Sequence, residues 1–241
     1  MSRPEPEYGE TWVYESIVGA LPGIDLSSAT AVTIQLVVFE VGVLVLGWYY
    51  GLWNAVLAGS AAVFIAAVGS VEMLRISTLV RREEVPESYR RLLFGSSVEV
   101  VLGVLAYVAL VTHVFVFDPA NNDPAMFESL FGPDPPMLVV YLTLLVLWDV
   151  CYRIGTGWWA SVAALWRSYQ YEFDAPTARR LQRADLETMM FGILPLALVP
   201  FVTAQPVLLA ALVGHVVAVT VVTGLSVALL RAGQSGATGS P

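Results

Sequence analysis

Six runs of mostly apolar residues divide the chain, at roughly 30–50, 54–75, 94–117, 137–157, 188–205 and 207–230. Each is close to the ~20 residues that an α-helix needs to cross the hydrocarbon of a bilayer. The first two runs meet at Trp48, Tyr49, Tyr50, Gly51 and Trp53, an aromatic belt at a tight turn. The last two are separated only by Gln205 and Pro206. The pattern predicts an all-α membrane protein, a six-span helical bundle built from three hairpins. Small residues at Ala55, Gly59, Ala62, Ala66 and Ser70 mark span two as a central helix, and Gly214 with Ala218 marks a close approach in span six. Pro195 and Pro200 predict a kink in span five.

Outside the spans the polar pattern predicts three further pieces. Residues 8–21 set Trp12, Tyr14, Ile17, Val18 and Leu21 among Glu10 and Glu15, as in an amphipathic helix lying at the interface. Residues 158–173 place Trp158, Trp159 and Trp166 at headgroup level, and 174–187 read as the start of a solvated helix with Asp174 and Pro176 as entry signals. The organisation expected is an interfacial segment 1–29, a membrane domain 30–231 and a Gly/Ser-rich disordered tail 232–241.

Composition sharpens this. The chain is 57% hydrophobic and 13% charged, against about 25% charged in soluble domains, which excludes an ordinary water-soluble globule. All 12 basic residues are Arg, so lysine Schiff-base and P-loop chemistry are excluded. The net charge of −8 argues against a nucleic-acid partner. A lone Cys151 forms no disulfide framework. The N-terminus has no basic region leading into an apolar core, so the first span is expected to be retained.

The arginines also orient the chain. Arg3, the loop arginines Arg75, Arg81, Arg82, Arg90 and Arg91, the group Arg153, Arg167, Arg179, Arg180 and Arg183, and Arg231 all fall on one side if both termini are cytoplasmic. The intervening loop 118–136 carries only acids: Asp118, Asp123, Glu128 and Asp134. Arg75, Arg153 and Arg231 are spaced 78 residues apart. That spacing fits either three parallel hairpin repeats or an Arg closing each cytoplasmic helix end.

Ionisable residues inside the spans are the candidate chemistry, because each costs roughly 2.5–3.5 kcal/mol at mid-span on insertion scales. They are Glu40 in span one, Glu99 and His113 on one face of span three, Asp149 and Arg153 in span four, and His215 in span six. Asp149 and Arg153 have the i,i+4 order of a helical ion pair. They could instead pair across helices, Asp149 with His215 and Arg153 with Glu40 or Glu99, as a central polar cluster. Glu72 and Arg75 read as an interfacial pair. No HExxH, CxxC, GxSxG or GxGxxG motif is present, and the acids and histidines have no dedicated metal-ligand spacing. No catalytic, cofactor or metal residue is therefore assigned, and an enzyme is not the expectation.

The segments YRRLLFGSSVEVVLG (89–103), LWDVCYRIGTGWWASVAALWRS (147–168) and YGETWVYESIVGALPG near the start resemble an uncharacterised integral-membrane family of haloarchaea. An acid excess with Arg wholly replacing Lys suits such a high-salt source. The resemblance covers nearly the whole chain and implies a cell-membrane location, with no activity and no site residues.

Two functions are then open. In the first, the polar cluster passes a proton, cation or small solute. In the second, the protein is a non-transporting scaffold whose Arg-rich loops 75–91 and 167–187 bind lipid or a soluble partner; a homo-oligomer is compatible with either. Convergence of Glu40, Asp149 and His215 on one hydrated cavity favours passage, and a lone partner for each favours the scaffold.

Overall fold

A computed structural model describes residues 12–13 and 27–237. Among them there is no strand, and six helices are long and apolar enough to cross a membrane. Helix α1 (Ser28–Tyr50) begins at Ser27, whose Oγ accepts the Thr30 amide at 3.1 Å, satisfying one of the unpaired donors of a helix start. It ends at Gly51, whose φ of +72° is the left-handed position that closes a helix and turns the chain. Helix α2 (Trp53–Arg82) follows after a single residue, so the first hairpin is as tight as its aromatic turn predicts.

The third span is broken. Helix α3 (Glu87–Gly95) is separated from α4 (Val98–Thr112) by Ser96 and Ser97, the latter at φ +52°. A π-helical turn, His113–Phe117, continues α4 into the short helix α5 (Asp118–Asn121). The acidic loop holds one further short helix, α6 (Met126–Phe131).

Helix α7 (Met137–Gln170) is the longest, at 34 residues, or about 51 Å at 1.5 Å per residue. A bilayer's hydrocarbon is about 30 Å thick, so α7 continues well beyond it. This corrects the expectation that 158–173 lie along the interface: residues 158–170 extend α7, and Trp158 and Trp159 point N–H groups at neighbouring helices. Helix α8 (Ala175–Ile193) starts at Asp174 with Pro176 in its first turn, as the sequence predicts, yet it buries Thr177, Ala178, Leu181, Asp185 and Thr188 and is not simply solvated. A 3₁₀ segment, Leu194–Leu198, and the short α9 (Val199–Val202) interrupt the regular α-helix where Pro195 and Pro200 fall. Helix α10 (Pro206–Ala237) is helical through residues 232–237; residues 238–241 lie outside the described residues. So does most of the expected 8–21 helix.

Helix α7 is the axis of the bundle, and glycines set how closely its neighbours come. A Cβ at Gly155 would stand 2.7 Å from the Gly103 backbone N, and one at Gly103 would stand 3.1 Å from the Tyr152 Cα, so α4 and α7 cross backbone to backbone. On another side, a Cβ at Gly69 of α2 would meet the Arg153 Cβ at 2.8 Å. Span two is buried along the small-residue face that was expected, with Ala55, Ala62, Ala66 and Ser70 all inside. Gly214 departs from expectation, since nothing lies within 4 Å of the Cβ it lacks. The close approach to α10 is made instead at Gly192, where a Cβ would meet Val219.

Without a hydrophobic driving force between spans, such backbone approaches carry much of the packing. Gly155→Ala is expected to lower stability by about 1–3 kcal/mol, the usual cost of overpacking. Gly214→Ala is expected to be neutral or slightly stabilising, because only helix propensity changes. Thermal unfolding of the two variants in one detergent checks the contrast.

Candidate functional site

One end of the bundle, where all the loop arginines gather, contains a buried polar network. The Arg167 side chain on α7 is 2% exposed. Its Nη2 donates to Asp185 Oδ2 on α8 at 2.7 Å. Ser226 of α10 donates to the same oxygen at 2.7 Å, and Ser226 and Ser168 share a hydrogen bond at 2.8 Å. The guanidinium also sits 5.3 Å from the centre of the Tyr89 ring, a distance at which a cation is attracted to the aromatic face. Four helices, α3, α7, α8 and α10, are thus tied to one ion pair. A cavity of about 10 Å³ borders this network, lined by Tyr89, Arg167, Asp185 and Thr188 among apolar side chains. That is room for about one water molecule.

Around this core further charges pair, both across helices and along α8. Glu187 on α8 accepts both Arg75 of α2 at 2.6 Å and Arg183 at 3.2 Å. Glu83 pairs with Arg180 at 2.6 Å. Glu72 is not the partner of Arg75, as expected from their spacing; its Oε1 accepts the Thr188 hydroxyl at 3.1 Å. Glu72 and Glu187 each reach across to the adjoining helix, which a local i,i+3 spacing does not reveal.

Of the six candidate residues, only Asp149 and Arg153 come together. Arg153 Nη2 stands 3.0 Å from Asp149 Oδ1 on the same helix, with side chains 1% and 5% exposed. Gln35 of α1 also hydrogen-bonds the Asp149 carboxylate, and Arg153 Nη1 reaches the Met73 Sδ at 3.4 Å. The local i,i+4 pairing therefore holds and the cross-helix cluster does not form. His215 instead accepts the Trp158 indole N–H on Nδ1 at 2.8 Å. Glu40 accepts the Ser60 hydroxyl at 2.8 Å, inside the first hairpin.

Glu99 is fully buried at the start of α4, close to the backbone of Val13. His113 lies in the π turn, its ring stacked on Phe117 with centroids 5.2 Å apart. Near it, Asp118 accepts the Met126 amide and the Asn122 side chain, which closes the acidic loop onto the span. Among the described residues no three His, Cys, Asp or Glu side chains stand together. Arg75, Arg153 and Arg231 do not occupy equivalent places: Arg153 is buried, while Arg75 and Arg231 are exposed. Their even spacing therefore does not reflect repeated environments.

Arg167, Asp185 and Ser226 were not among the candidates. A signal was present, since Ala178, Leu181, Asp185 and Thr188 recur at helical spacing and make Asp185 the lone acid on an otherwise small and apolar face.

Six long apolar helices with ionisable groups paired inside them define a polytopic, all-helical membrane protein. A model of DUF7530, a family of unknown function, matches residues 7–226, and the chain belongs to that family. No curated protein and no solved structure matches the chain.

Removing one partner of a buried pair leaves the other charge uncompensated, at a cost of about 3–5 kcal/mol. Asp185→Asn and Arg167→Met are each expected to destabilise on that scale. The double variant Arg167→Met with Asp185→Leu is expected to recover much of the loss. A double-mutant cycle from chemical denaturation in micelles measures the coupling.

Proposed function

We infer that the protein is a non-transporting scaffold of the cell membrane. Its arginine-rich end and both termini face the cytoplasm, and that end meets anionic lipid headgroups. The carrying observation is that Glu40, Asp149 and His215 each close on a partner of their own, Ser60, Arg153 and Trp158. A relay needs groups within hydrogen-bond reach of one another or of shared water. These three pairs sit on different helix contacts, α1 with α2, within α7, and α7 with α10. The orientation rests on the arginine asymmetry. The headgroup reading rests on the exposed Arg81 and Arg82 at the end of α2 and Arg179 in the first turns of α8, where basic residues near an anionic surface each contribute about 1 kcal/mol.

The competing reading is passage of a proton, cation or small solute past the same residues. Flux of H⁺, Na⁺, K⁺ and Cl⁻ in proteoliposomes decides between them. Wild type, Glu40→Gln and Asp149→Asn are all expected to match protein-free vesicles. Flux above that background in wild type, lost in Asp149→Asn, would establish passage and overturn the scaffold.

A further inference from the structure

The ion pair that joins α7 to α8 leaves hydrogen-bonding capacity unused on both of its members. Arg167 Nη2 donates to Asp185 and to the Ser168 hydroxyl, and Nη1 donates to the Tyr89 hydroxyl at 3.5 Å. Its Nε is shut away from solvent and has no partner among the described residues. The Tyr89 hydroxyl accepts that guanidinium, which leaves its own proton to be given elsewhere. On the acid, Arg167 and Ser226 both bond Oδ2, so Oδ1 serves neither. Thr188 has one hydroxyl proton, which goes to Glu72 Oε1 or to the Ala184 carbonyl, each at 3.1 Å, and its oxygen can still accept. Two donors and two acceptors are therefore left over.

The four residues that carry them line one cavity of about 10 Å³, whose remaining walls, such as Ile76 and Ala164, are apolar. The space admits about one water-sized molecule. Its charge is constrained as well as its size. A cation there would be opposed by Arg167 and an anion by Asp185, whereas a neutral molecule that both donates and accepts answers all four groups. A buried donor without a partner has lost its hydration for nothing in exchange, and water with two to four polar partners removes that cost.

We propose that this cavity is a binding site for a single resident water molecule, which accepts from Arg167 Nε and the Tyr89 hydroxyl and donates to Asp185 Oδ1 and the Thr188 hydroxyl. Through Thr188 the water joins Glu72 of α2 to the ion pair. The network then runs unbroken from α2 through α8 and α7 to Ser226 of α10, and the arginine-rich end is held together as one polar unit with water as a working member.

X-ray radiolysis of the full-length protein in detergent tests this, because hydroxyl radicals form from the bound water itself and modify the side chains that touch it. Tyr89, Phe94 and Trp12 are 2%, 2% and 0% exposed, and of the three only Tyr89 lines the cavity. Tyr89 is expected to be modified several-fold faster than either of the others, although an indole is the more reactive ring. Ala164→Val places two further methyl groups in the cavity and is expected to bring Tyr89 down to the rate of Phe94. The same variant is expected to melt roughly 3–6 °C lower, since expelling the water strands Arg167 Nε. A dry cavity gives the opposite sign, because filling it adds contacts and strands nothing. Modification of Tyr89 no faster than that of Phe94 and Trp12, an unchanged Tyr89 rate in Ala164→Val, or a higher melting temperature of that variant would each overturn the proposal.

Discussion

Two guanidinium groups, those of Arg153 and Arg167, are buried to 1% and 2% exposure, and the rest of the structure is arranged around the need to answer them. A charge taken out of water costs several kcal/mol unless it is paired and hydrogen-bonded. The two solutions differ in consequence. Arg153 finds its acid one turn away on α7, so that pair is settled within the helix and leaves the neighbours free to approach by shape: α4 at Gly103 and α2 at Gly69. Arg167 finds its acid on α8 and a shared serine on α10. The placement of those two helices against α7 is therefore an electrostatic requirement as well as a packing one.

The same difference explains what could be read from the sequence. The number of spans, the tight first turn and the helix interruption at Pro195 and Pro200 depend on runs of apolar residues and on local breakers, and they were legible. So was the Asp149–Arg153 pair, because both members lie on one helix at a diagnostic spacing. Asp185 could be found as an odd acid on a small-residue face, but its partner could not, since nothing local says that α8 packs with Asp185 opposite Arg167. The pairing of His215 was missed for a related reason. Trp158 reads as a headgroup aromatic when the span is taken to end at residue 157, and becomes an interior donor once α7 is seen to continue to Gln170. Helix length was the hidden variable: apolar runs delimit what a bilayer covers, not where a helix stops.

Polarity inside the bundle is graded along its length. Away from the arginine-rich end the polar groups form smaller, separate sets, Glu40 with Ser60 and Asp118 with the Met126 amide and the Asn122 side chain. Toward the arginine-rich end, they merge into a network joining Tyr89, Arg167, Ser168, Asp185 and Ser226, with Thr188 and Glu72 alongside. This gradient follows from the alternatives to protein hydrogen bonds. Where helices run through hydrocarbon, a polar group has only the neighbouring helix to turn to. Where they extend beyond it, water is available at the rim, and a larger polar core can be maintained because its outer members are hydrated.

That gradient also bears on the burial of Trp12. Its side chain belongs to a buried apolar cluster with Ile76, Leu93 and Phe94. An indole is suited to that position, having a large apolar body and a single donor that a helix carbonyl can accept. A purely aliphatic side chain would cover the walls but would give up the indole N–H bond to the Met73 carbonyl oxygen. Trp12 thus brings apolar area and a polar contact to the same place.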